Sequence, residues 1–97
     1  MTMAGRLARI REHLAAAVAT SDRREVVYRT EWLGFLPFGT YQWIELDAGP
    51  VTVAMPPEWE LDDLLALEAE GFLERLGEWT DPHEPADRRI TYRVRRA

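Results

Sequence analysis

The sequence has no cysteine, no lysine and no asparagine, and it has one serine and one glutamine. The missing cysteines exclude disulfides, thiolate metal sites and thiol nucleophiles. Long apolar runs are missing too, because the longest charge-free stretch, residues 32–44, is 13 residues long. About 20 apolar residues are needed to span a bilayer. We therefore expect a cytoplasmic protein with no membrane partner.

Sequence motifs of enzymes are also missing. There is no glycine-rich phosphate loop, no nucleophile elbow and no His-Glu helix motif. His83 lies in an acidic loop, residues 81–87, but the spacing matches no metal-ligand pattern and its two prolines are typical of an ordinary turn. The sequence therefore favours a non-enzymatic protein with no catalytic residues, no cofactor and no metal site.

The length and composition indicate one folded domain, residues 1–97. A chain of 97 residues is too short for two cores, and a hydrophobic content of 46% with four tryptophans is enough for one. The net charge of −5 is unevenly distributed, since residues 30–87 carry 14 acids and one arginine while residues 88–97 carry five arginines and no acid. Nucleic acid is an unlikely partner on this basis, because phosphate contacts need a continuous basic surface.

Hydrophobic periodicity predicts an α+β domain. Apolar residues at three- and four-residue spacing indicate a first helix over about residues 4–19. Alternating and β-branched segments indicate strands over about 25–33, 40–46, 51–54, 72–79 and 88–96. A second helix fits the segment 57–70. We predict the order α-β-β-β-α-β-β, with about five mostly antiparallel strands and both helices packed on one face.

Two details of this prediction concern the second helix and the second strand. Gly71 fits the cap after a helix that ends near Glu70, although a helix continuing to Leu76 also keeps helical spacing. In the second helix, Leu61, Leu64 and Leu65 fall on one stripe, with Leu67 beside it. The second strand is partly apolar on both faces, which predicts a central strand covered on both sides.

The turn between the first two strands carries the main functional prediction. Phe35, Leu36 and Phe38 lie between Gly34 and Gly39, at a position that water normally surrounds. Unless the same chain covers them, they form an apolar patch of the kind that binds partners. Trp32 and Trp43 flank the turn and would anchor such an interface. We therefore expect a protein-interaction module, adaptor-like, chaperone-like or inhibitor-like, whose partner is another protein or a second copy.

An alternative comes from the end of the chain. The stretch 67–75, an acidic turn, and Asp87-Arg88-Arg89 before an alternating strand together resemble the recognition helix and wing of winged-helix regulators of the MarR type. The resemblance implies DNA binding, with Arg88 and Arg89 contacting phosphates. The same nucleic-acid surface would include Arg93 and Arg95. A simpler hypothesis is that Arg89, Arg93 and Arg95 form cross-strand ion pairs with Glu74 and Glu78.

Two further ideas stay open at this point. A small ligand would fit between the sheet and the second helix, near Trp43, Trp59 and Tyr92. The predicted element order is also similar to that of the small acidic secretion chaperones, an analogy of architecture that no sequence motif accompanies.

Overall fold

The computed structural model describes residues 2–34, 39–49 and 51–95. It contains two helices and four strands in the order α-β-β-α-β-β, which confirms the predicted α+β class. The elements are α1 (Met3–Ala17), β1 (Glu25–Leu33), β2 (Gly39–Leu46), α2 (Leu61–Ala69), β3 (Leu73–Thr80) and β4 (Arg88–Val94). Neither α1 nor α2, the helices of these ranges, is long and apolar enough to cross a membrane.

The four strands form one antiparallel sheet in the order β2-β1-β4-β3. β1 and β4 are the central strands, and their pairing joins parts of the chain that are far apart in sequence. Val26 lies opposite Tyr92, and Tyr28 lies opposite Ile90. Side chains alternate between the two faces of a sheet, so these four residues share one face. That face carries the core.

Both helices pack on this one face of the sheet, as predicted. Ile10 and Leu14 of α1 and Leu64 and Leu67 of α2 are fully buried against it. The core cluster consists of Ile10, Leu14, Val18, Val26, Tyr28, Ile44, Val53, Leu64, Leu67, Leu73, Ile90, Tyr92 and Val94. The period-two pattern of the last strand thus predicted its buried residues correctly.

Local capping explains where the helices begin and end. The hydroxyl of Thr2 accepts a hydrogen bond from the N–H of Gly5 at the start of α1. α2 ends before Gly71, which has a φ of +87°. The N–H groups of Gly71 and Phe72 bond back to the carbonyls of Glu68 and Leu67 at 3.0 Å each, the two bonds of a Schellman cap. The helix therefore stops at Gly71 and does not continue to Leu76.

The predicted strand over residues 51–54 is reduced to a single β-bridge between Thr52 and Glu45. Two backbone hydrogen bonds, from Leu46 to Val51 and from Val53 to Ile44, hold this segment along β2. The pairing stops there because Pro56 and Pro57, which lack an N–H, follow at once in the sequence. Among the described residues the sheet has four strands, not five.

The prediction that β2 is a central strand was wrong, because β2 lies at an edge of the sheet. Its apolar residues on two faces have separate explanations. Ile44 belongs to the core, whereas Trp43 lies on the opposite face beneath the guanidinium of Arg29. An arginine, not a second layer of secondary structure, covers that tryptophan.

Candidate binding face of the sheet

The side of the sheet opposite the helices is its open face. Both helices pack on the other side, so no helix of residues 2–34, 39–49 and 51–95 lies over it. Strand alternation and register assign the residues of this face. They are Val27, Arg29 and Glu31 of β1, Tyr41, Trp43 and Glu45 of β2, Glu74, Gly77 and Trp79 of β3, and Arg89, Thr91 and Arg93 of β4.

Four residues of the open face form a row that crosses all four strands, which we call the central row. Arg29 lies opposite Trp43 on one side and opposite Arg89 on the other, and Trp79 lies opposite Arg89. The guanidinium of Arg29 lies 5.3 Å from the ring centre of Trp43, and that of Arg89 lies 5.1 Å from the ring centre of Trp79. The central row is therefore two cation–π pairs placed side by side.

The two arginines of the central row differ in their partners. Nη1 of Arg29 donates to a carboxylate oxygen of Glu45 at 2.9 Å. Nε of Arg29 is buried and has no hydrogen-bond acceptor among the residues that the structure describes. Arg89 is exposed and forms no ion pair within those same ranges. Of the two arginines, Arg29 is thus already paired with a carboxylate, whereas Arg89 has no neutralising carboxylate among the described residues.

A groove of about 350 Å³ lies beside the central row. Val27 and Thr91 are the next opposite pair on this face, two residues along β1 and β4 from Arg29 and Arg89, and all four residues line the groove. Its remaining lining comes from the end of β2 and the turn after it, namely Glu45, Leu46, Asp47 and Gly49. Ligand pockets in proteins start at about 300 Å³, so this groove has room for a small polar group or a few side chains.

The residues predicted to bind a partner do not lie on one surface. Phe35, Leu36 and Phe38 fall outside the described residues. Trp32 is 49% exposed and lies on the helix-bearing side of β1, because it follows Tyr28 by four residues on the same strand and side chains alternate between faces. Trp43 lies on the open face. The two tryptophans that flank the turn therefore point to opposite sides of the sheet.

The arginines of the nucleic-acid alternative are mostly neutralised within the protein. Arg88 lies 2.6 Å from Glu78, and its hydrogen bond lowers the pKa of that carboxyl. Glu74 lies 3.3 Å from Arg93 and 3.5 Å from Arg95. The predicted cross-strand ion pairs are confirmed for Arg93 and Arg95, and the prediction was wrong for Arg89 of the central row. The pair between Arg88 and Glu78 was not predicted.

The surroundings of α2 differ from those of a recognition helix. The segment that precedes it, described for residues 51–60, contains a bridge and turns but no helix, so a helix-turn-helix is absent from this part of the chain. The β3–β4 hairpin lies within the sheet, because β4 pairs with β1.

The proposed ligand site near Trp43, Trp59 and Tyr92 is not assembled in the structure. Tyr92 is 1% exposed, and its burial raises the pKa of its hydroxyl. Trp59 packs edge-on against Tyr28, with ring centres 6.0 Å apart. Both rings contribute to the helix-side packing, whereas Trp43 lies on the other face of the sheet.

The histidines have structural partners. Nδ1 of His13 lies 2.7 Å from the carbonyl of Ala54, to which it donates, and this bond ties α1 to the segment beside β2. In the loop after β3, a carboxylate oxygen of Asp81 accepts bonds from the backbone N–H groups of His83 and Glu84, which forms a turn. The described part of the chain contains no group of three or more histidine or acidic residues arranged to hold a metal ion.

Sequence patterns missed the central row for a specific reason. Its residues come from four strands, and the row exists only because β1 pairs with β4. The sequence contains only a weak indication of it. Each hairpin has one arginine and one tryptophan on the same face of its two strands, Arg29 and Trp43 in the first and Trp79 and Arg89 in the second. Comparison of the chain with protein-family models, curated proteins and solved structures finds no match. Functional inference therefore depends on the geometry of the open face.

Proposed function

We propose that this protein is a small non-enzymatic protein-interaction module and that the open face of its sheet binds the partner. The central row supports this proposal. Tryptophan and arginine are the residue types that most often dominate the binding energy of protein interfaces. Here two of each lie side by side on a paired sheet, where backbone hydrogen bonds hold them in position. Such a surface loses little conformational entropy on binding.

The distribution of charge favours a protein over a nucleic acid as the partner. Three of the four arginines that the structure describes in residues 88–95 are paired with Glu74 or Glu78. The open face also carries Glu31 and Glu45, and the net charge is −5. A phosphate backbone would meet alternating charges there, with no continuous basic strip.

The apolar turn of the β1–β2 hairpin belongs to the same proposal as a second contact region. Phe35, Leu36 and Phe38 supply large apolar side chains, and Trp32 beside them exposes about half of its surface. A partner that contacts both the turn and the open face would wrap around the end of the hairpin. The partner is either another protein or a second copy of this chain.

Site-specific photo-crosslinking in the cells that naturally produce the protein tests this proposal. Benzoylphenylalanine replaces Trp79, which is 45% exposed on the open face, and in a matched control replaces Leu65, which is 38% exposed on α2. We expect an adduct of defined mass from position 79 only. An adduct of two chains of 11.2 kDa identifies a second copy, and any other mass identifies a different protein, which is then purified for binding measurements.

Those binding measurements complete the test. The purified partner should bind wild type and lose affinity for the Trp43→Ala/Trp79→Ala variant, while its affinity for Leu65→Ala stays unchanged. Equal adducts from positions 79 and 65, or a partner that binds the double variant as tightly as wild type, would show that the open face is not the interface.

A further inference from the structure

We infer that the groove beside the central row binds a carboxylate, carried by an acidic segment of the partner and held between Arg29 and Arg89. The inference deepens the proposed function and depends on it. It follows from three features of the open face: two opposed cations, unused hydrogen-bond donors, and the length of the row.

The two arginines are placed where like charges repel. Arg29 and Arg89 are directly opposite on neighbouring antiparallel strands, a position at which two like charges destabilise a sheet. Each guanidinium also lies beside the tryptophan of the neighbouring outer strand. Both arginines line the groove, together with Val27 and Thr91. An anion in this space attracts both cations at once.

The donors that such an anion needs are present and unoccupied. A guanidinium has five N–H donors, and its bonds to carboxylates are frequently bidentate. Arg89 is exposed and has no ion pair among the described residues, so its donors are free to bind an anion. Nη1 of Arg29 binds Glu45 and the Nε of Arg29 is buried, so an anion in the groove would bind Arg29 through its terminal nitrogens. One carboxylate there would contact both guanidinium groups.

Two acids face the same groove and set the affinity. Glu45 is already bound to Arg29, so an incoming carboxylate competes with it for that guanidinium. Asp47 lies on the rim and is exposed to solvent, which screens its charge. Because Glu45 competes for Arg29, removal of the charge of Glu45 should strengthen the binding of an external carboxylate.

The length of the row indicates the size of the bound segment. Neighbouring strands are about 4.8 Å apart, so the distance from Trp43 to Trp79 across four strands is about 14 Å. An extended peptide rises about 3.3 Å per residue and its side chains alternate between two faces, so residues i, i+2 and i+4 span about 13 Å on one face. The matching segment has one acid in the middle, facing Arg29 and Arg89, and apolar side chains two residues before and after it, facing the tryptophans.

A peptide titration followed by two-dimensional ¹H–¹⁵N NMR tests the inference. The probe is acetyl-Leu-Ser-Glu-Ser-Leu-amide in low-salt buffer, and the control peptide has glutamine in place of the glutamate. We expect signals of Val27, Arg29, Arg89 and Thr91 to shift with the acidic peptide. The neutral peptide should leave them in place. The spectra also report whether each variant below keeps the wild-type fold.

Three variants separate a specific site from general charge attraction. Arg89→Gln should weaken binding about tenfold, the loss expected for one charged hydrogen bond. Arg93→Gln, on the same strand and face but already paired with Glu74, should change binding less than about twofold because it removes a neutralised charge. Glu45→Gln should strengthen binding several-fold because it frees Arg29.

The opposite results overturn the inference. Equal losses in the Arg89 and Arg93 variants would indicate diffuse attraction, and equal binding of both peptides would exclude a carboxylate. A single-stranded oligothymidylate that binds where the acidic peptide does not would assign the face to nucleic acid. If no probe binds wild type while benzoylphenylalanine at position 79 still forms its specific adduct in cells, the inferred carboxylate site is wrong and the proposed interface stands.

Discussion

Arg6 donates two hydrogen bonds to Asp63, from Nε at 2.8 Å and from Nη2 at 2.9 Å, across 57 residues of sequence. The Asp63 side chain is 1% exposed and that of Arg6 is 17% exposed. Asp63 also accepts the backbone N–H of Glu60 at 3.1 Å, as part of the capping box that begins α2. This one carboxylate therefore caps α2 and fixes α1 beside it.

Replacement of Asp63 should lower stability more than replacement of any exposed acid. Removal of one partner from a buried ion pair costs about 3–5 kcal/mol, and partial exposure of Arg6 places Asp63→Ala near the lower end. Glu70→Ala is the control, because Glu70 pairs with Arg11 between the same two helices but is half exposed. We expect it to cost less than about 1 kcal/mol in urea unfolding. Equal losses would show that the buried pair has no special role.

The same ion pair predicts a dependence of stability on pH. The hydrogen bond from Arg6 lowers the pKa of Asp63 below its ordinary value, and the bond from the N–H of Glu60 lowers it further. A carboxyl whose pKa is lower in the folded state stabilises the fold above its unfolded pKa, about 3.9 for aspartate. This contribution is lost as the pH falls through the folded-state pKa.

Urea unfolding of wild type and Asp63→Asn between pH 7 and pH 3 measures this effect. The difference in unfolding free energy should stay constant from pH 7 to about pH 5 and shrink below about pH 4, where aspartate becomes protonated in the unfolded chain. The pKa of Glu78 is lowered too, mainly by Arg88, but both proteins retain that pair. A difference that grows on acidification would contradict the assignment to Asp63.

Two adjacent leucines of α2 should respond very differently to truncation. Leu64 is fully buried, so Leu64→Ala should cost about 2–5 kcal/mol through lost contacts and a cavity. Leu65 is 38% exposed, so Leu65→Ala should cost less than about 1 kcal/mol. Thermal unfolding of both variants checks the orientation of α2. Similar losses would mean that α2 faces the sheet differently.

Those leucines also show how far the sequence determines the fold. Both helices, all four observed strands and the stop at Gly71 were predictable, because periodicity, alternation and a glycine cap are local signals, whereas the strand predicted over residues 51–54 is only a bridge. The buried face of α2 was harder to predict, because four leucines in nine residues fit more than one helical stripe. The sequence favoured Leu61, Leu64 and Leu65, whereas the core contains Leu64 and Leu67. Packing against the sheet decides between them.

The candidate site and the buried ion pair depend on contacts between distant residues. Arg29 and Arg89 meet because β1 pairs with β4, and spacing along the chain contains no record of that pairing. Asp63 lies in a segment rich in acidic residues, which are expected to face solvent. Its burial requires the ion pair with Arg6 of α1. Both features depend on the order of the strands and on the positions of the helices, which local sequence patterns do not determine.

The cap of α2 gives a final prediction, which concerns the effect of backbone conformation on stability. Gly71 has a φ of +87°, where a Cβ clashes with its own backbone, and no neighbouring atom lies within 4 Å of the position that the Cβ would occupy. Gly71→Ala should therefore cost about 1–2 kcal/mol from conformation only. Gly77→Ala is the control, since Gly77 of β3 has equally open space and an ordinary φ. It should leave stability unchanged or raise it by about 0.5 kcal/mol. Urea unfolding of both variants checks this prediction, and equal effects would mean that the left-handed cap does not limit the length of α2.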